Sequence, residues 1–265
     1  MRCLTGKRRG QGMALLGLIA LLGLGGATAA AQGHPHDLPA ITGGQPPPAP
    51  TCNIPGTNYS SLSIAGPSLT VNPDKDENLN LGYRGYELTD APRKLVVLGG
   101  VFDSKAPQFP GLFADRRTPA LTNTYHRFRW DEDCDCPVDT ASRWETTVLG
   151  MGVRPGETIH TPDSGHDIGG GYRYMVMYAA ETRITLHVGR EDEFHGYVIH
   201  IEDVCVDTDL LALYRQLQAG GRRSLPALRS HQPFGTAIGD EIKIAVRDSG
   251  SFMDPRSRND WWQGR

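Results

Sequence analysis

The chain has 265 residues, 38% hydrophobic and 22% charged, enough for one core of ordinary size and a small second unit, which excludes a disordered tail and a polytopic membrane protein. Glycine and proline together supply 51 residues, about 19% against a usual share near 12%, which favours many short strands and turns and excludes an all-helical bundle. The formal charge of −3 becomes about −7 once Arg2, Lys7, Arg8 and Arg9 are set aside, so no basic face is available to hold nucleic acid through its phosphates.

Residues 1–31 have the layout of a secretory signal peptide: basic Lys7 to Arg9, an apolar run from Met13 to Leu24, and the small-residue stretch Ala27-Thr28-Ala29-Ala30-Ala31. The apolar part is about twelve residues, short of the roughly 20 that cross a bilayer. Cleavage near Ala29 or Ala31 is expected, giving a secreted, extracytoplasmic protein with no membrane span; an uncleaved anchor is the alternative. Cys3 leaves with that segment. Cys52, Cys134, Cys136 and Cys205 remain, an even number suited to two disulfides in an oxidising space. Cys134 and Cys136 stand two apart and are expected to pair outward, so that Cys52 or Cys205 ties the N-terminal extension to the core. A thiolate metal site is the weaker reading, because C-x-C without a second such pair is a poor zinc signal. Residues 32–58, with His34-Pro35-His36 and Gln45-Pro46-Pro47-Pro48-Ala49-Pro50, read as a Pro-rich linker, partly polyproline II.

From Tyr59 onward short strand-like runs alternate with turn residues. Strands are predicted from Leu62 to Ile64, Leu79 to Leu88, Leu95 to Leu98, Tyr125 to Trp130 and Trp144 to Val153. Stronger ones follow Gly169-Gly170-Gly171, from Tyr172 to Ala179, Thr182 to Val188 and Gly196 to Ile201. In the last, Val198 and His200 take one face and Tyr197, Ile199 and Ile201 the other. Thr208-Asp209, then Leu210, Leu211, Leu213, Tyr214 and Leu217, then Gly220-Gly221, predict one N-capped amphipathic helix stopped by glycine. A last strand from Ile242 to Val246 leads to a polar, Arg-rich end, 259–265 being a tail. The pattern predicts a mainly antiparallel all-β protein with one short helix, an N-terminal β segment over 59–150 packed on a β domain over 151–258.

The C-terminal half carries a family pattern. Gln232-Pro233-Phe234-Gly235, Gly239 and then Ile242-Lys243-Ile244-Ala245-Val246-Arg247-Asp248-Ser249-Gly250-Ser251-Phe252-Met253-Asp254-Pro255 resemble the end of a lysostaphin/LytM-type zinc peptidase domain. There a G-Q-x-I-G turn is followed by a glycine, by H-x-H on a strand and by a stretch like FEVRDNGxxVDP. Asp167-Ile168-Gly169, Tyr178-Ala179-Ala180 and Ile184-Thr185-Leu186 are similar to the family's D-I-A-A-P and A-A-x-x-G-x-V passage, and Tyr214-Arg215-Gln216-Leu217 falls where it has Y-A-H-L. The resemblance covers roughly residues 150–258 and implies a β-sandwich of the duplicated hybrid kind.

In that family a histidine, an aspartate four residues later and the second histidine of H-x-H hold zinc, while the first histidine of H-x-H and that of Y-A-H-L assist catalysis. Carried over by the resemblance, Asp163, Asp167 and Lys243 occupy the ligand positions, and Glu241 and Gln216 the assisting ones. Of these only the aspartate is kept. An ammonium has no lone pair for Zn²⁺, and glutamine cannot take a proton from water. Without a metal, neither an activated water nor a polarised carbonyl is supplied. The resemblance therefore implies a peptidase scaffold with no catalytic residue and no cofactor. Its groove, lined by Asp163, His166, Asp167, Gln216, Glu241 and Lys243, would bind a cell-wall peptide or glycan, or an envelope protein. Two alternatives stand beside this: a zinc endopeptidase acting on peptidoglycan through His160, His166 and Asp167, since neutral imidazoles are good ligands, and a purely structural envelope protein.

Other features read as local chemistry. His187, His195 and His200 fall on or between adjacent strands as cross-strand polar pairs. Asp74-Lys75-Asp76-Glu77-Asn78 has Leu79 where a calcium loop wants glycine, and Asp131-Glu132-Asp133-Cys134-Asp135 reads as a solvated acidic turn. Trp261-Trp262, beside Arg256, Arg258 and Arg265, offers flat area for sugar rings or a partner, or closes the sandwich edge. No phosphate loop, nucleotide fingerprint or nucleophile elbow is present.

Overall fold

The computed structural model describes residues 52–66, 72–100, 102–139, 143–191 and 195–265. The expected signal peptide and most of the expected linker lie outside them. In chain order the elements are β1 (Ser60–Ser63), α1 (Leu81–Arg84), β2 (Tyr86–Thr89), β3 (Leu121–Arg127), β4 (Arg129–Asp131), β5 (Cys136–Val138), β6 (Val148–Gly152), β7 (Thr158–His160), β8 (Tyr174–Ala180), β9 (Arg183–His187), β10 (Tyr197–Glu202), β11 (Val204–Val206), α2 (Thr208–Ala219), β12 (Ser224–Leu228), β13 (Pro233–Ala237), β14 (Glu241–Asp248), β15 (Ser251–Phe252) and α3 (Arg258–Trp261). All strand pairs are antiparallel. The main sheet runs β1-β12-β8-β9-β10-β14-β6-β3-β2, with β15 beside β14; β11-β13-β7 form a second sheet and β4-β5 a separate hairpin. The mainly antiparallel β class predicted from the sequence is the observed one. Strands before residue 153 and strands after it share one sheet.

Period-two alternation fixes which way that sheet faces. Ile199 and Ile201 of β10 and Ile242, Ile244 and Val246 of β14 are fully buried on one side, in the same core as Ile159, Val204, Val206 and Phe234 of the smaller sheet. Leu210, Leu211 and Tyr214 of α2 enter that core too. Full burial of each such side chain stabilises by roughly 1.5–3 kcal/mol. The opposite side of the sheet carries a smaller cluster of Leu81, Tyr125, Val148, Ala245 and Phe252.

The helix predicted after Asp207 forms, with the Asp207 carboxylate accepting from the N–H groups of Asp209 (2.9 Å) and Leu210 (3.2 Å) and Gly220 at its end. The strand predicted from Leu79 to Leu88 is instead a helical turn and a strand. Asn80 Oδ1 accepts from Tyr83 N at 3.2 Å to start α1, and Gly85 at φ +80° ends it before β2. The stretch from Leu95 to Leu98 makes a single bridge, Val96 with Ser257.

The disulfide pairing corrects the sequence expectation. Cys134 does not pair outward: it is bonded to Cys136, because the β4–β5 turn brings their Cα atoms to 5.3 Å. Cys52 is bonded to Cys205, with Cα atoms 5.8 Å apart. Residues from Cys52 are thereby held on the fold, and Ile54 N donates to Asp207 Oδ2 at 2.7 Å. The last seven residues are not a free tail either. Trp261 and Trp262 are buried, and their indole N–H groups donate to Asp254 O (3.0 Å) and Pro255 O (2.9 Å). Trp261 stacks on Phe109 at 5.8 Å, so neither indole is available to a sugar ring. No helix among the described residues is long and apolar enough to cross a membrane. The two disulfides fit an oxidising space.

Candidate functional site

The face of the main sheet opposite the large core is charged. Register places Arg183 (β9), Glu202 (β10) and Lys243 (β14) side by side on three neighbouring strands. Arg183 Nε lies 3.4 Å from Glu202 Oε2, and Lys243 Nζ forms an ion pair with Asp203 and stands 3.6 Å from Glu241 Oε1. Glu241 in turn reaches across β6 to β3, where Thr122 Oγ1, Asn123 Nδ2 (2.6 Å) and Tyr125 Oη (2.5 Å) donate to it. Lys243 also faces the rings of Tyr125 (5.5 Å) and Tyr86 (6.0 Å).

Two glycines create the room. A Cβ on Gly150, the residue opposite Lys243, would stand 2.4 Å from Glu241 Oε2 and 2.8 Å from Thr122 Oγ1, blocking the carboxylate's path to β3. A Cβ on Gly82 of α1 would coincide with the Arg183 guanidinium, at 1.4 Å from its nearest nitrogen, which itself donates to Asn80 Oδ1 at 3.0 Å. The turn that replaces the predicted strand thus packs on the Arg183 end of the charged row.

Environment sets the two carboxylates apart. Burial pushes the Glu202 acid up to about 7, opposed by the Arg183 and Lys243 charges and assisted by Asp203. Burial alone would raise Glu241 as well, but the bonds from Thr122, Tyr125 and Asn123 and the Lys243 charge outweigh it and hold that acid below the ordinary carboxylate range. Burial and the Glu241 partner raise the Tyr125 phenol. Glu202 therefore gains and loses its proton around neutrality beside the Glu241 anion, and Asp203, the most exposed of the three acids, forms the rim. Beside this row, Gly152 lies opposite Glu241 and borders a cleft of about 690 Å³ that Arg117, Val153, Arg154, Gly156 and Glu157 also line.

The other residues singled out from the sequence lie elsewhere. Asp163 pairs with Arg116 at 2.8 Å while its backbone bridges to Gln108. His166 Nε2 is 2.7 Å from Asp103 Oδ2 and its ring is 6.0 Å from that of Tyr197. Asp167 accepts from Gly169 N at 2.7 Å and pairs with Arg173 at 3.3 Å. Tyr197 stands opposite Asp248 and Glu202 opposite Lys243, so His166 and Lys243 belong to opposite ends of the β10–β14 pair, about 17 Å apart along the strands. Gln216 is exposed on α2, which packs on the side of the sheet away from Lys243. Of the six groove residues only Glu241 and Lys243 are brought together. His160 stacks on His231 at 4.5 Å, and burial, then the His231 and Arg116 charges, lowers its pKa. His160, His166 and Asp167 thus each engage different partners. Among the described residues no group of three or more His, Cys, Asp or Glu is placed to hold a metal ion.

Arg183, Glu202, Asp203, Tyr86, Tyr125, Thr122 and Asn123 were not singled out in the sequence. A signal existed: Arg183, Thr185 and His187 alternate with Ile184 and Leu186, and His200 and Glu202 with Ile199 and Ile201. Compared with protein-family models, curated proteins and solved structures, the chain matches none.

Proposed function

We propose that the protein is a secreted, non-catalytic binding module of the cell envelope, and that the Lys243 row with the adjoining cleft receives a peptide of the wall or of an envelope protein. The observation that carries this reading is the Lys243 ammonium held between Glu241 and Asp203. The carboxylates most able to attract a dication there are already matched by a resident cation, whereas alternating fixed charges beside two phenol rings suit the amide, amine and carboxylate groups of a peptide. The cleft beyond Gly152 adds a further ion pair on its wall, Arg117 with Glu157 at 2.6 Å. The peptidase resemblance of residues 150–258 and the signal-like N-terminus supply the envelope setting.

The test is co-sedimentation of the purified chain with peptidoglycan sacculi. Saturable retention without release of soluble fragments is expected, weakened at least about tenfold in Lys243→Met and in the milder Asp203→Asn, with melting temperatures within a few degrees of wild type. Chelator-sensitive release of wall fragments would overturn the reading in favour of the zinc endopeptidase. Equal retention of wild type and both variants would remove the Lys243 row from the binding surface.

A further inference from the structure

The two disulfides differ in kind. Cys52–Cys205 joins positions 153 residues apart, and Cys205 is buried. Cys134–Cys136 spans one intervening residue at the tip of the β4–β5 hairpin, with Cys134 exposed and Cys136 half-buried. That hairpin is already closed without it: Arg129, Trp130 and Asp131 pair with Val138, Pro137 and Cys136, Asp133 N donates to Asp131 Oδ1 at 3.0 Å, and Trp130 leans on Tyr83 at 4.7 Å. A bridge across so short a loop removes little freedom from the unfolded chain. Cys134 is nonetheless exposed, and exposure is the property of exchangeable rather than structural bridges.

We propose that Cys134–Cys136 is a thiol–disulfide exchange site whose partner is an exposed cysteine pair in a basic setting. The charge around it selects that class. Asp131, Glu132, Asp133 and Asp135 lie within five residues of sequence, and among the described residues Asp131 alone of the four has an ion-pair partner, Arg129 at 3.2 Å. Such a cluster repels anionic thiolates such as glutathione and attracts thiols flanked by Lys or Arg. In the reaction the partner's thiolate attacks the exposed Cys134 Sγ. The Sγ–Sγ bond breaks and its electron pair leaves on Cys136 Sγ, which takes a proton. The partner's second thiolate then attacks its own sulfur in the mixed disulfide, closing the partner's disulfide and releasing Cys134, which is protonated to the thiol. The partner loses two electrons and the bridge gains them.

The test uses the intact oxidised protein in graded dithiothreitol, with alkylation and peptide mass mapping. Cys134 and Cys136 should be alkylated at a reductant concentration at least about tenfold below that needed for Cys52 and Cys205, while the protein remains folded. Simultaneous opening of both bridges, or opening of Cys134–Cys136 only in denaturant, would overturn the proposal. In the Cys136→Ser variant, Cys134 should form a mixed disulfide with a thionitrobenzoate-activated cysteine peptide flanked by lysines about tenfold faster than with one flanked by glutamates, a preference that shrinks in 0.5 M salt. Equal rates would overturn the partner assignment.

Discussion

Glu202 links the charged row to stability. Unfolded, a glutamate loses its proton near 4.5, whereas burial raises Glu202 to about 7 in the fold. Between these values the folded state binds the extra proton, so this residue's contribution is complete below pH 4.5 and is lost as the pH rises through 7, a change of about 3 kcal/mol. His160 acts in the opposite sense: its pKa is lowered by burial, so its contribution is present above 6.5 and falls as the solution is acidified. Subtracting the two proteins isolates Glu202. The stability of wild type minus that of Glu202→Gln, from urea titrations at pH 4 to 8, should fall by about 3 kcal/mol across the series; a flat difference would mean that Glu202 titrates as an exposed acid. Gly82→Ala offers a steric counterpart. Its methyl would push the flexible Arg183 guanidinium aside and lengthen its pairing with Glu202, costing about 1 kcal/mol at pH 7 and less at pH 4, where the acid is protonated.

Elements defined by local chemistry are those the sequence discloses. β8, β9, β10, α2 and β14 announce themselves by alternation or by a cap and a glycine stop. The turn at Leu81–Arg84 does not, because Leu79, Leu81 and Leu88 supply enough apolar residues to imitate a strand, and only Asn80 and Gly85 mark the break. The site was half legible for a similar reason. Glu241 and Lys243 were visible through the family pattern, but Glu202 and Arg183 become its neighbours only through a register that joins three strands. Asp163, His166 and Asp167 were close to one another in sequence, yet their partners draw them to the other end of the sheet. The two bridges give a prediction at this scale. Replacing Cys52 and Cys205 by serine should cost about 3–5 kcal/mol, whereas replacing Cys134 and Cys136 should cost less than about 2, because stabilisation grows with the loop enclosed. Urea midpoints of the two double variants provide the check.

Across the whole molecule the chain ends matter more than their composition suggests. Cys52 near one end of the described chain is bonded to Cys205, and Trp261 and Trp262 near the other complete the core beneath Phe109. Trp261→Ala should therefore cost about 3–5 kcal/mol, a core-sized loss from a position four residues before the last; a urea midpoint near that of wild type would show that the indole packs only superficially. The order of the main sheet has a consequence in time. Its outermost strand β1 pairs with β12, which is synthesised roughly 160 residues later. A chain that emerges N-terminus first, from a ribosome or an export channel, must hold β1 unpaired until nearly all of it has appeared. Closure of that edge of the main sheet is thereby postponed until β12 has emerged, and β1 should stay unprotected from hydrogen exchange in chains arrested before residue 224.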